Sequence, residues 1–143
     1  MDKPEPKQVL SPAPKAEAKA PLQLVKPKVP EPWSPAEATS RLNAMAADPE
    51  SFDLSFKLHA FEQMEERDIT AVDAIHVMRT GFVFDAPVAA TQPGLYRYTM
   101  RGLTPSSNRR EVRIVVIPSM HKAWAKIITV MWADEPMTRG TGR

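Results

Sequence analysis

The sequence predicts an α+β fold in which N-terminal helices pack on one face of a four-stranded, mainly antiparallel sheet. Between residues 34 and 80, apolar side chains recur with the period of a helix, whereas from residue 82 to 132 they alternate as in strands. The predicted strands follow one another at hairpin spacing, which favours antiparallel pairing. Helices followed by a run of strands are typical of the α+β class.

The first 33 residues differ in composition from the rest of the chain. Nine of the 15 prolines lie in the first 35 residues, among lysine and alanine and with few large apolar side chains. Such a segment cannot bury enough surface to offset its ordering entropy, so a disordered tail is predicted over residues 1–33. It is a tether, a partner-binding arm or a targeting tail, or else a linker without contacts of its own. A folded domain is predicted over residues 34–133, and a frayed tail over 134–143.

Composition excludes several classes of function. The chain has no cysteine, and its three histidines, His59, His76 and His121, lack the spacing of a metal motif. We therefore expect no metal and no other cofactor. No apolar run approaches the roughly 20 residues of a membrane helix, and the N-terminus lacks the apolar segment of a signal peptide. A cytoplasmic protein without membrane contact is expected.

The net charge of +2 is unevenly distributed along the chain. Residues 36–93 carry four basic and ten acidic side chains, whereas residues 94–143 carry nine basic and three acidic ones. A basic C-terminal half suits a polyanion such as RNA. The alternative is a solvated surface whose two halves attract each other. The position of Arg97, Arg101 and Arg113 within predicted strands favours the polyanion.

The first predicted helix begins at Ser34, the N-cap residue, which is followed by Pro35 and Glu37. It ends before Asp48-Pro49, because proline disfavours helical backbone in the residue that precedes it. The second helix has Phe56, Ala60 and Met64 on one apolar face.

His59 and Gln63 stand four residues apart at the edge of that apolar face. A tight corner at Asp68-Ile69 follows, and Thr70 with Asp73 predicts the capped start of a third helix. Gly81 ends that helix.

Four strands are predicted over residues 82–85, 95–101, 111–117 and 122–132. In the second strand Tyr96, Tyr98 and Met100 share one face, which we interpret as core, and Arg97 and Arg101 share the other. In the last strand, simple alternation places Trp124, Lys126 and Trp132 on one face and Thr129 on the opposite one, and predicts that at least one tryptophan is core.

The segment from His59-Ala60 through Met64, Glu66-Arg67 and Ile69 to Thr70 resembles a signature of small, largely uncharacterised bacterial domains. Their pattern is roughly His-Ala-x-x-Arg-Met-x-x-Arg-Gly-Ile-Ser/Thr, and the family is grouped with the RelE-like and BrnT-like toxin ribonucleases. The resemblance covers about residues 54–133, including Thr-Val-x-Trp in the last strand. Gln63 replaces the usual arginine of the pattern, and Asp68 replaces the usual glycine.

The resemblance implies a RelE-like fold and a metal-independent endoribonuclease that cleaves single-stranded RNA, with an antitoxin protein as a possible second partner. Cleavage requires a proton carrier and stabilisation of phosphate charge. Histidine and arginine suit these tasks, so His59 is the candidate proton carrier and Arg97 the candidate phosphate ligand, with Thr129 orienting the phosphate. Five further side chains are candidate RNA contacts: Arg67, Arg101, Arg113, Lys126 and Trp132.

Each assignment has an alternative. His59 also fits a half-buried residue that bonds a strand carbonyl, and Arg67 also fits a structural role in which it pairs with an acid at the helix end. Loss of the usual arginine at Gln63 favours a non-catalytic module that binds RNA or a protein on the same scaffold. In a third interpretation the chain is an adaptor whose functional part is the proline-rich arm.

Overall fold

The computed structural model describes residues 29–136, which form three helices and six strands. In chain order these are α1 (Pro35–Ala47), β1 (Asp53–Phe56), α2 (Leu58–Arg67), α3 (Ala71–Thr80), β2 (Phe82–Val83), β3 (Val88–Ala89), β4 (Tyr96–Gly102), β5 (Val112–Pro118) and β6 (Trp124–Trp132). The α+β class is confirmed. Of the tails expected over residues 1–33 and 134–143, residues 1–28 and 137–143 lie outside the described residues.

The strands form one mixed sheet in the order β1-β6-β5-β4-β2, and β3 also pairs with β4. All pairs are antiparallel except β1 with β6, which is parallel. The prediction of a four-stranded, mainly antiparallel sheet was therefore incomplete. It missed β1 and β3, because four and two residues are too few to show a period of two beside a helix or a loop.

The two faces of the sheet differ in what covers them. On the helix-covered face, α2 packs against β6 and α3 against β4 and β5, while α1 packs on α3. Side chains of this face and of the helices form one core, in which Tyr98, Met100, Ile114, Val116 and Val130 are fully buried. The predicted core role of Tyr98 and Met100 is confirmed. The other side, which none of the three helices covers, is called the open face.

The packed part of the chain begins before Ser34. Trp33, which the sequence assigns to the tail, is buried, and its ring stacks on Tyr98 with 5.5 Å between ring centroids. Its backbone N–H donates to the Tyr98 hydroxyl over 2.9 Å. The predicted cap of α1 is present, since Ser34 Oγ accepts from the backbone N–H of Glu37. A core tryptophan inside a proline-rich run has no signal in local periodicity.

The corner between α2 and α3 follows the prediction. Asp68 adopts left-handed backbone at φ 58°, where a glycine is the usual residue. Ile69 N–H then donates to the Met64 carbonyl over 3.0 Å. Thr70 and Asp73 form a reciprocal capping box at the start of α3. These four residues, Asp68, Ile69, Thr70 and Asp73, thus determine the corner between two helices that both pack on the sheet.

Gly81 ends α3 in extended backbone, and glycine is required there because of a close approach. A Cβ at this position would lie 2.6 Å from the carbonyl oxygens of both Arg101 and Val77. A Cβ on Gly102, in turn, would lie 3.1 Å from Gly81 Cα. Two glycines therefore let the end of α3 touch the end of β4, and they fix β2 at the edge of the sheet.

A β-bulge in β6 changes which residues share a face. Val115 pairs with Thr129, but the next residue, Val116, pairs with Ile127, so Ile128 is an extra residue without a partner on β5. Before the bulge the even-numbered residues lie on the open face, and after it the odd-numbered ones do. The prediction of uniform alternation in this strand was wrong.

Candidate functional site

The open face carries a regular array of polar and apolar side chains on its three long strands. Cross-strand registers place them in rows: Thr99, Val115 and Thr129 form one row, Arg101, Arg113 and Met131 a second, and Ile117 and Lys126 a third. The central apolar residues Val115, Ile117 and Met131 are buried, although none of the helices in the described part of the chain packs on them. The array is an apolar floor bordered by longer polar side chains.

Three of the predicted RNA contacts are accessible on this face. Arg97 is exposed near the start of β4, and Arg101 lies further along the same strand with 40% of its side chain exposed. Lys126 is partly exposed on β6. Among the described residues, the nearest carboxylate to Arg101 is that of Glu111, whose Oε1 lies 3.9 Å from Nη1, and this is a weak contact at such exposure. These cations remain available to an anionic ligand.

Two of these cations lie over aromatic rings. The guanidinium carbon of Arg101 stands 4.4 Å from the ring centroid of Phe84, and Lys126 Nζ stands 5.5 Å from that of Trp124. The Cα atoms of Arg101 and Lys126 are about 16 Å apart, because they are two strands and about four residues removed from each other. Each end of this diagonal thus combines a positive charge with an aromatic surface.

Arg113 lies in the middle of the open face but is buried. Its Nη1 donates to the Ala133 carbonyl, and its Nη2 donates to the Glu135 carbonyl over 2.8 Å. Burial lowers its pKa from the ordinary arginine value, and Nε has no hydrogen-bond partner within residues 29–136. Arg113 therefore holds the turn after β6, and the structure does not present it to a ligand.

Arg67 has the structural role that was the alternative to RNA contact, because it pairs with acidic residues near the end of α2. Its Nε donates to both carboxylate oxygens of Glu135, over 3.0 and 2.9 Å, and Nη1 pairs with Glu66. The hydrogen bond to Glu135 raises the pKa of Arg67. Burial would raise the pKa of Glu135, but hydrogen bonds from Arg67 and from Trp132 N–H outweigh it and lower that pKa. The pair ties the end of α2 to the C-terminal turn.

Trp132 and Gln63 belong to the helix-covered side. Trp132 packs against the core, and the guanidinium carbon of Arg110 lies 4.3 Å from its ring centroid. Gln63 Oε1 accepts a 3.0 Å hydrogen bond from Val130 N–H. β1 ends beside Ile127, so this amide lies on a stretch of β6 edge without a neighbouring strand. Gln63 therefore closes that edge through its amide oxygen.

His59 lies on α2, with 68% of its side chain exposed, and its Nδ1 is 3.8 Å from Glu62. It is therefore neither half-buried nor bonded to a strand carbonyl. Because α2 packs on the covered side of β6, His59 and Arg97 are on opposite sides of the sheet. In addition, β6 and the strand of Arg97, β4, are about 10 Å apart. The structure does not bring this proton carrier to this phosphate ligand.

The predicted site thus divides into three sets. Arg97, Arg101, Lys126 and Thr129 share the open face, and His59, Arg67 and Trp132 do not belong to it. Arg113 lies on the open face but is buried. Three aromatic residues were missed: Phe82, Phe84 and Trp124. For the first two a signal existed, since Phe-Val-Phe at residues 82–84 places both rings on the side opposite Val83.

An α+β domain whose sheet has one helix-covered and one open face is the class of protein that these observations define. A family model described as a domain of unknown function (DUF4258) matches residues 56–132, more than half of the 143 residues, and the chain belongs to this family. The match runs from the end of β1 to the end of β6. No curated protein and no solved structure matches the chain.

Among residues 29–136, no group of three or more histidine, cysteine, aspartate or glutamate side chains could hold a metal ion. None of the helices in this range is long and apolar enough to span a bilayer.

Proposed function

We propose that this protein binds single-stranded RNA across the open face of its sheet. The observation that carries the proposal is the common orientation of Arg97, Arg101 and Lys126 on a face that no described helix covers. Arginine and lysine supply the phosphate contacts of nucleic-acid complexes. Aromatic rings beside the cations suit unpaired bases, which are stacked on such rings when RNA is single-stranded.

Cleavage of the bound RNA is the second candidate, as in the RelE-like and BrnT-like toxins that the signature resembles. It is favoured by Thr129, which faces the same surface as Arg97 and could orient a phosphate. It is weakened by the position of His59 in the helical layer. Binding without cleavage is therefore the function that we propose first. A RelE-like fold and an antitoxin partner belong to the second candidate, cleavage.

Binding is tested with a fluorescently labelled single-stranded RNA and purified protein at several salt concentrations. We expect Arg97→Ala and Arg101→Ala each to weaken affinity about threefold to tenfold, and each to reduce the salt slope by about 0.7 for the lost phosphate contact. Arg79→Ala is the matched control, because Arg79 is an exposed arginine of α3 on the helical side. Equal losses in all three variants would contradict binding on the open face.

Cleavage is tested by inducible expression of the wild type and His59→Ala, followed by primer extension on total RNA. A protein that only binds leaves the pattern of RNA 5′ ends unchanged in both strains. New 5′ ends with the wild type would establish an endoribonuclease. Their loss in His59→Ala would place His59 in the catalytic site, contrary to the separation of His59 from Arg97 described above.

A further inference from the structure

The geometry points to a site for one unpaired nucleobase on the ring of Phe82, with the phosphate beside that base held by Arg101. This inference rests on the proposed function and deepens it, because it assigns the contact that the RNA base makes. Phe82 is the direct cross-strand partner of Arg101, so both side chains rise from the same row of the open face. The sequence predicts base stacking at neither Phe82 nor Arg101.

Phe82 and Phe84 are large apolar side chains left in solvent, with 56% and 53% of their surfaces exposed. Their ring centroids are 5.9 Å apart, so together they form a single aromatic patch. A scattered exposed apolar residue needs no explanation, but an aromatic patch bordered by arginine marks an interaction site. The two rings have different neighbours, and this difference assigns their roles.

One surface of the Phe84 ring is already occupied, since the Arg101 guanidinium carbon lies 4.4 Å from its centroid. This cation–π contact holds the guanidinium over the ring and limits its motion. Phe84 is therefore the positioning residue for Arg101. No cation–π partner is present at Phe82 within the described chain, so Phe82 is the ring that offers its surface to a base.

The strand β2, which carries Phe82 and directly precedes Phe84, is firmly held. Val83 between them is buried, and its N–H donates to Thr39 Oγ1 of α1 over 2.9 Å. The contact of Gly81 with the Arg101 carbonyl and Gly102 fixes the preceding residue against β4. A ring on such a strand loses little freedom on binding, which favours affinity.

A nucleotide fits the chemistry of this patch better than an apolar segment of a protein. An apolar partner would cover Phe82 and would also remove Arg101 from water without supplying a charge, and burial of an unpaired cation is costly. A nucleotide offers an aromatic base to Phe82 and an anionic phosphate to Arg101 at the same time. Stacking tolerates any base, so we expect a site for single strands with little base preference.

The test compares a short oligouridine of about ten nucleotides with an abasic chain of the same length and charge. We expect Phe82→Ala to weaken binding of the oligouridine about tenfold and to leave binding of the abasic chain unchanged. Phe82→Trp should bind the oligouridine at least as well as the wild type. Phe61→Ala is the matched control, because Phe61 is 50% exposed on α2, away from the open face.

Each other outcome overturns a different statement. If the wild type binds oligouridine and Phe82→Ala binds it equally well, the base site is wrong while RNA binding stands. If Phe82→Ala weakens both chains equally, the ring acts through the structure of the patch and the base site is again wrong. If the wild type binds neither chain, the proposed function fails and the base site fails with it.

Discussion

Replacement of Gly81 by alanine is expected to destabilise the protein by about 3 kcal/mol, because the added methyl group has no space. Its Cβ would meet the carbonyl oxygens of Arg101 and Val77 at 2.6 Å, and backbone atoms cannot move aside as flexible side chains do. The backbone at Gly81, with φ −85° and ψ −172°, suits any residue. The expected loss is therefore steric and contains no contribution from left-handed strain.

Gly102→Ala provides a graded comparison at the same contact. Its nearest neighbour would be Gly81 Cα at 3.1 Å, and its other contacts lie at an ordinary 3.7 Å. A displacement of a few tenths of an ångström would relieve this crowding, so we expect the free energy of unfolding to fall by about 1 kcal/mol. Urea unfolding of both variants measures the two losses. A Gly81→Ala protein as stable as Gly102→Ala would show that the end of α3 does not press on β4.

Asp73→Ala is expected to cost a similar amount, about 3 kcal/mol, through loss of a buried carboxylate that accepts several hydrogen bonds. Asp73 is 9% exposed and accepts from the N–H and hydroxyl of Thr70, which caps α3. It also accepts from Thr104 Oγ1 and Ser106 Oγ in the loop between β4 and β5. Alanine would leave the buried Thr104 hydroxyl without this partner.

Asp73→Asn keeps the shape of the side chain and serves as the control for its charge. We expect a loss of roughly half that of alanine, since the amide oxygen still accepts hydrogen bonds whereas the amide NH₂ faces donors. Urea unfolding at neutral pH measures both variants. Equal stability of Asp73→Ala and the wild type would contradict a role for this carboxylate in joining α3 to the loop.

The charge of Asp73 makes this contribution depend on pH. Burial would raise its pKa, but hydrogen bonds from Ser106, Thr70 and Thr104 outweigh burial and hold the pKa below the ordinary value of 3.8. The folded state thus favours the charged form, and the stabilisation is complete at a pH well above 3.8, where the carboxyl group is charged in the unfolded state too. It is lost as the pH falls through the folded-state pKa.

The difference in unfolding free energy between the wild type and Asp73→Asn isolates this effect. Glu135 also has a lowered pKa, but it is present in both proteins, so its contribution cancels. We expect the difference to be constant from neutral pH down to about pH 5 and to shrink below pH 3.8. A difference that grows in acid would mean that burial dominates the pKa of Asp73.

Local chemistry predicted the helical part of the fold well. The Ser34 cap, the left-handed corner at Asp68 and the Thr70–Asp73 capping box are each determined by residues within one turn of each other. What could not be predicted depends on partners distant in sequence. Trp33 is core because its partner is Tyr98, and β1 is a strand because β6 supplies its edge.

The same distinction explains the outcome for the candidate site. Alternation along β4 correctly placed Arg97 and Arg101 on the face opposite Tyr98. In β6 the bulge at Ile128 reverses the alternation, and no residue type in the sequence marks it. Lys126 and Thr129 consequently share the open face, although uniform alternation would place them on opposite faces. Arg113 looked accessible from its strand position, but the turn after β6 covers it.

The most direct test of RNA binding on the open face is an NMR titration that follows the arginine Nε–H signals during addition of single-stranded oligouridine. We expect the signals of Arg97 and Arg101 to shift, because their guanidinium groups would contact phosphate. The signal of Arg79, on the helical side, should not move. Shifts confined to Arg79 and the helices, or no shifts at saturating RNA, would contradict the assignment of the open face as the RNA-binding surface.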